Sequence, residues 1–114
     1  MPAAEAVDAR RVARVARCFD TGIRLQRWPT RRGDQIVVLW VLWSLLPGDR
    51  QLDEAEVNAM LRDWNDFGDY ILLRRELVDF DLLRRTPDGG IYRRVARSDL
   101  PVEAETVLAR LEAA

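Results

Sequence analysis

Arginine is the residue type with which this chain could do chemistry. All 18 basic residues are arginine, and neither lysine nor histidine occurs in the 114 residues. A guanidinium is a permanently charged planar fork that matches the oxygens of phosphates and carboxylates, so it binds anions well and transfers protons badly. The arginines come in groups. Adjacent pairs stand at Arg84-Arg85 and Arg93-Arg94. Arg24, Arg27, Arg31 and Arg32 fall in a stretch with no acidic residue between Asp20 and Asp34, and Arg74-Arg75 lie in an apolar-periodic segment. Such groups suit the phosphates of double-stranded DNA.

The absent types exclude as much as the arginines suggest. Without histidine and lysine there can be no Ser-His or Cys-His nucleophile, lysine Schiff base, Walker-type phosphate lysine or histidine metal site. Acid–base work would fall to carboxylates, tyrosines or Cys18, and no spacing selects a pair of them. The expectation is a protein that is not an enzyme, with no catalytic residue, cofactor or metal. Asp63-Trp64-Asn65-Asp66-Phe67-Gly68 begins like a calcium loop, but Phe67 takes its fifth position and Arg74 its twelfth, where a bidentate glutamate is required.

Composition bounds the architecture. With 48% apolar and 32% charged residues and a net charge of −1, the sequence reads as one folded domain over residues 1–114. A single cysteine, Cys18, cannot form an intrachain disulfide, and no charged-then-apolar leader opens the chain, so a reducing cytoplasm is expected. The longest apolar run, Ile36 to Trp43 followed by Ser44, Leu45 and Leu46, is about half the roughly 20 residues that cross a bilayer. It reads as a core helix, with no membrane as partner.

Periodicity supplies the elements that must position the arginines. A helix from Ala3 to Phe19 sets Val12, Val15, Ala16 and Phe19 on one side. Arg10, Arg14 and Arg17 lie opposite with Arg11 beside them, as a solvated face or a contact for an acidic partner or phosphate. Asp20-Thr21-Gly22 turns the chain into a short extended piece, Ile23 to Trp28, ahead of Pro29. A helix from about Asp34 to Leu46, capped by Asp34 or Thr30 and stopped by Pro47-Gly48, is apolar all round. Its cover must come from the terminal helices or a second subunit. Trp40 and Trp43, with Leu108 and Leu111 of the last helix, are therefore the expected homodimer contacts.

A short strand at Gln51-Leu52 comes next. Asp53 then caps a helix with Glu54 and Glu56 in its first turn and Val57, Met60, Leu61 and Trp64 as its apolar face. A turn at Asn65 to Gly68 precedes a helix from about Asp69 to Phe80. Leu82 to Thr86 and Ile91 to Val95 flank Pro87-Asp88-Gly89-Gly90, whose Asp-Gly pair suggests positive φ angles and a tight hairpin. Beyond Pro101, Ala104, Val107, Leu108 and Leu111 share one helical face. The order predicts a mainly α, winged helix-turn-helix-like fold with a small β-hairpin, and extra helices at residues 1–20 and 100–114.

At this point the sequence resembles the bacterial domain of unknown function 2087. The matching text is Gly22-Ile23-Arg24-Leu25 before Pro29, Glu56-Val57-Asn58 with Leu61, Asp69-Tyr70, Leu73-Arg74-Arg75-Glu76-Leu77-Val78-Asp79, Leu83-x-Arg85, Asp88-Gly89 and Tyr92-x-Arg94. The resemblance covers about Gly22 to Arg94, within an expected core of residues 22–97. It implies a winged-helix-like domain with an association to ArsR-like regulators, and it identifies no catalytic residue. Gly33-Asp34 interrupts a stretch that is usually more basic, and Asp81 stands where the family tends to have a helix-ending glycine.

In the expected recognition helix, Tyr70, Ile71, Leu73, Leu77, Val78 and Phe80 span one half, with Arg74 among them. Arg74 should be partly buried and paired, Asp63 and Asp66 being nearest in sequence. The other half carries Asp69, Leu72, Arg75, Glu76 and Asp79, which leaves Arg75 for a base edge. Two functions fit. One is a DNA-binding regulator touching phosphates through Arg84, Arg85, Arg93, Arg94, Arg24, Arg27, Arg31 and Arg32; it requires wing and early loop to merge into one cationic surface. The other is a protein-interaction or dimerisation module on the same fold, favoured by a pI near 5.5, an acidic outer helix face and an exposed Leu72.

Overall fold

A computed structural model describes residues 6–113. The chain runs α1 (Ala9–Ala16), α2 (Arg32–Leu45), β1 (Leu52–Asp53), α3 (Glu54–Asp63), α4 (Tyr70–Asp79), β2 (Leu83–Arg85), β3 (Ile91–Arg94) and α5 (Val102–Ala113). The strands form one antiparallel sheet in the order β1-β3-β2. This helix, strand, helix, helix, hairpin order is compatible with a winged-helix-like fold: α4 takes the recognition position and β2–β3 the wing. The described helices include none long and apolar enough to cross a membrane.

The all-round apolar helix sits at the centre. Val37 to Trp43 of α2 are all buried, with α1 and α5 packed on one flank and α4 on another. The terminal helices therefore supply the cover that a second subunit could have given. This corrects the expected dimer contacts: Trp40 is 2% exposed, Trp43 7% and Leu111 6%, and all three belong to this chain's own core, with Leu108 half-buried against it. Area already removed from water within one chain cannot drive association.

Two polar devices fix α2. At its N-terminus neither Thr30 nor Asp34 caps the helix; Arg31 is the N-cap residue and makes no side-chain cap bond. Asp34, 2% exposed, instead accepts from Arg11 Nε at 3.0 Å and from Arg14 Nε at 2.7 Å and Nη2 at 3.1 Å, which ties α1 to α2. Gly33 makes room for this, since a Cβ there would run into the Arg11 guanidinium. At the C-terminus Arg94 of β3 donates to the carbonyls of Trp43 (3.2 Å) and Leu46 (3.1 Å) and lies over the Trp43 ring at 4.2 Å. A cation on the last carbonyls complements the helix dipole. Trp43 Nε1 returns a bond to Val95 O at 2.8 Å.

Several boundaries differ from expectation for local reasons. Residues 3–5 of the expected first helix lie outside the described residues, and from Asp8, whose carboxylate caps it, that helix runs only to Ala16. Ile23 to Trp28 forms no strand; Leu25 alone makes isolated bridges, to Phe19 and Asn65. In the hairpin only Gly89 has positive φ (74°), while Asp88 does not. The Gly89 N–H donates to Thr86 O at 2.8 Å across Pro87-Asp88, as in a type I turn followed by a left-handed glycine. α3 gains a full capping box, with Asp53 and Glu56 each accepting from the other's backbone N–H.

Helix α4 ends as a Schellman motif. Asp81 has φ 57°; its N–H donates to Val78 O at 3.0 Å, and Leu82 N–H to Leu77 O at 2.9 Å. A left-handed aspartate carries a steric cost that glycine lacks. Asp81→Gly is expected to raise stability in denaturant unfolding by up to about 1 kcal/mol, and a loss of stability would contradict this account of the helix end.

The Asp34 contacts give a pH signature. Hydrogen bonds from Arg14, and then from Arg11, hold its carboxyl below the usual carboxylate range despite burial. An unfolded aspartate titrates near pH about 4, so between that pH and the lower folded value the unfolded chain binds more protons. The stabilisation is complete above the unfolded value and fades as pH falls through the folded one. Asp34→Asn should cost about 2 kcal/mol at neutral pH and flatten the acid limb of stability against pH. An unchanged limb would show that the pair contributes nothing.

Candidate nucleic-acid interface

The nine arginines expected to face nucleic acid separate by what they touch. Four are engaged within the chain. Arg24 pairs with Asp66, a carboxylate that also accepts from Gln26 at 3.0 Å. Arg32 pairs with Glu76, joining the start of α2 to α4. Arg84 meets Asp81 at 3.4 Å on the surface, a geometry worth little. Arg94 is turned inward on the end of α2. Arg24 and Arg94 are corrected most firmly: the first is held by both carboxylate oxygens of Asp66, and the second caps a helix.

The remaining five, Arg27, Arg31, Arg75, Arg85 and Arg93, are exposed and have no carboxylate within ion-pair distance among the described residues. They do not form the single expected surface. Arg75 and Arg85 line one groove of about 270 Å³ together with Arg74, Val78, Asp79 and Tyr92. Arg27 and Arg31 line another cavity, beside α1, that shares no residue with the first. Arg93 lies on the opposite face of the wing, paired in register with Arg84, while Arg85 pairs with Tyr92. Strand alternation thus sends one member of each adjacent pair to each face. Like charges directly opposite repel, and Asp81 beside Arg84 relieves this.

The groove between α4 and the wing has the more developed architecture. Asp69 caps α4, accepting from Leu72 N–H at 2.9 Å, and the burial of Leu73 and Leu77 leaves Arg75 on the exposed side of the helix. Ile71, expected inside, is 46% exposed beside it, whereas Leu72 is half-buried. Arg74 is partly buried at 16% exposure, as expected, but its partners are on α3: Glu54 at 3.2 Å and Asn58 at 2.6 Å. Asp63 and Asp66 were nearest in sequence, yet the helix crossing brings the other end of α3 alongside. The Tyr92 hydroxyl lies buried at this groove without a hydrogen-bond partner among the described residues. Asp79 is the one carboxylate among the lining residues.

Sequence reasoning missed Arg11 and Arg14 as partners of Asp34, and Arg97, which stands over Trp40 at 5.1 Å and pairs with Asp99 at 2.6 Å. The signal for the first was present: an aspartate in the first turn of an apolar helix invites a buried partner. Nothing in the spacing marks Arg97.

No curated protein and no solved structure matches the chain. The family described as "Uncharacterized protein conserved in bacteria (DUF2087)" matches residues 24–94, a span that holds α2, the α3–α4 pair and the wing and leaves α1 and α5 outside. With more than half of its length matched, the chain belongs to this DUF2087 family.

Proposed function

We propose that the chain is a cytoplasmic DNA-binding domain that docks through α4 and the wing. The observation that carries this reading is that Arg75 of α4 and Arg85 of the wing line one groove, each without an ion-pair partner among the described residues. Arg75 is suited to a guanine edge in the major groove, and Arg85 and Arg93 to phosphates on either face of the wing. Asp79 opposes phosphate and favours a contact made through bases on its side of the groove. The early-loop arginines are not needed for this contact.

A second reading, assembly without DNA, has a specific observation behind it. Between α1 and α5 an open groove of about 480 Å³ is lined by Ala13, Ala16, Phe19 and Leu111, with Arg17, Asp20, Thr21 and Arg110 around them. A homodimer formed there would rest on the half-buried Ala13 and Ala16 with the surrounding Arg17, Thr21 and Arg110, and not on Trp40, Trp43 or the buried Leu111, which the core has consumed.

Titration with a random-sequence duplex at several salt concentrations tests the first reading. The two phosphate contacts, Arg85 and Arg93, predict a slope of log K against log salt of about −2. Arg85→Gln and Arg93→Gln should each reduce that slope by about 1, and Arg24→Gln, already paired to Asp66, should leave it unchanged. Affinity indifferent to salt, or to both wing substitutions, would remove the reading and leave the assembly role.

A further inference from the structure

The cavity beside α1 gathers four guanidiniums around one carboxylate. It is open to solvent, with a volume of about 280 Å³, and its walls carry Arg14, Arg17, Arg27 and Arg31 against a single carboxylate, Asp34. Both oxygens of Asp34 are already taken by Arg11 and Arg14. Arg17, Arg27 and Arg31 have no acidic partner among the described residues, although nearby Arg24 and Arg32 each have one. Guanidiniums gathered in a concave site repel one another and raise the local potential for an anion. The cavity also lies at the N-terminal end of the 14-residue α2, where Arg31 is the N-cap residue and makes no side-chain cap bond and the helix dipole favours negative charge. Trp28, half-buried and stacked on Phe67 with ring centroids 6.3 Å apart, is a fixed wall of the cavity.

We infer that this cavity is a binding site for a small phosphate-bearing anion, held by Arg17, Arg27 and Arg31. Its volume of about 280 Å³ lies just below the roughly 300–1,000 Å³ of drug-sized ligand pockets, which suits one or two phosphate groups. Planar guanidiniums offer phosphate paired N–H donors. The site shares no lining residue with the groove between α4 and the wing, so it stands or falls independently of DNA binding.

The test is titration of the full chain with inorganic phosphate and with pyrophosphate at about 50 mM salt, followed by calorimetry and by tryptophan emission, to which Trp28 contributes from the cavity wall. One-site saturation below about 1 mM is expected for at least one of them; tighter pyrophosphate would assign two phosphate subsites, equal affinity one. Arg27→Gln and Arg31→Gln, both exposed and without ion-pair partners, should each weaken binding about tenfold while the far-ultraviolet circular dichroism stays the same. Arg85→Gln should leave binding unchanged. No saturation below that concentration, or equal weakening by Arg85→Gln, would overturn the site, the latter by reducing it to diffuse net charge.

Discussion

A helix that is apolar on every side has to be enclosed, and enclosing α2 organises the rest of this protein. Its seven consecutive buried residues, Val37 to Trp43, leave no face for solvent. Truncating even one buried tryptophan typically costs about 3–5 kcal/mol, a large fraction of the stability of a domain this size. The sheet, α3 and α4 can cover only part of such a helix. α1 and α5 complete the shell, which explains why segments outside the family match are nonetheless packed into the same core. The ends of α2 are then fixed by guanidiniums from distant parts of the chain, Arg11 and Arg14 at the start and Arg94 at the finish.

That demand sorts the arginines. An arginine beside the ends or flanks of the core is drawn into it, where a carbonyl, a carboxylate or an indole face offsets its desolvation. Arg94 over Trp43 and Arg97 over Trp40 illustrate the indole contact. Arginines projected by the wing tip, by the exposed face of α4 or by the loop before α2 have nothing comparable to hold them. The net charge of −1 therefore conceals an uneven surface: carboxylates neutralise some guanidiniums locally, and of those left over Arg75 and Arg85 share one groove, Arg27 and Arg31 another, and Arg93 the far face of the wing.

Much of the fold was legible in the sequence because it is written in local rules. Helical spacing, the Asp53 cap and the Asp-Gly turn each depend on a few neighbouring residues, and the helix end at Asp81 was marked by the family resemblance. What could not be read was the set of contacts that only tertiary packing decides. Arg74 was expected inside from its place on the helix, but its partner Glu54 follows from how α3 crosses α4. Trp40 and Trp43 were expected to need cover, and the choice between a terminal helix and a second copy is not encoded in the periodicity of α2 itself. Arg94 alternates correctly along its strand; that its inward face meets the end of α2 is a matter of three-dimensional placement.

The account rests on a division of the arginines into those the fold consumes and those it leaves available. Resolving the Nε–H resonances of the arginine side chains by nitrogen-15 NMR, before and after adding duplex DNA, measures that division directly. Arg11, Arg14, Arg24 and Arg97, whose Nε atoms donate to carboxylates, should exchange slowly with water and stay in place, while Arg75, Arg85 and Arg93 exchange fast and shift on titration. Shifts confined to the first group, or fast exchange at Arg14 on the buried Asp34, would contradict it.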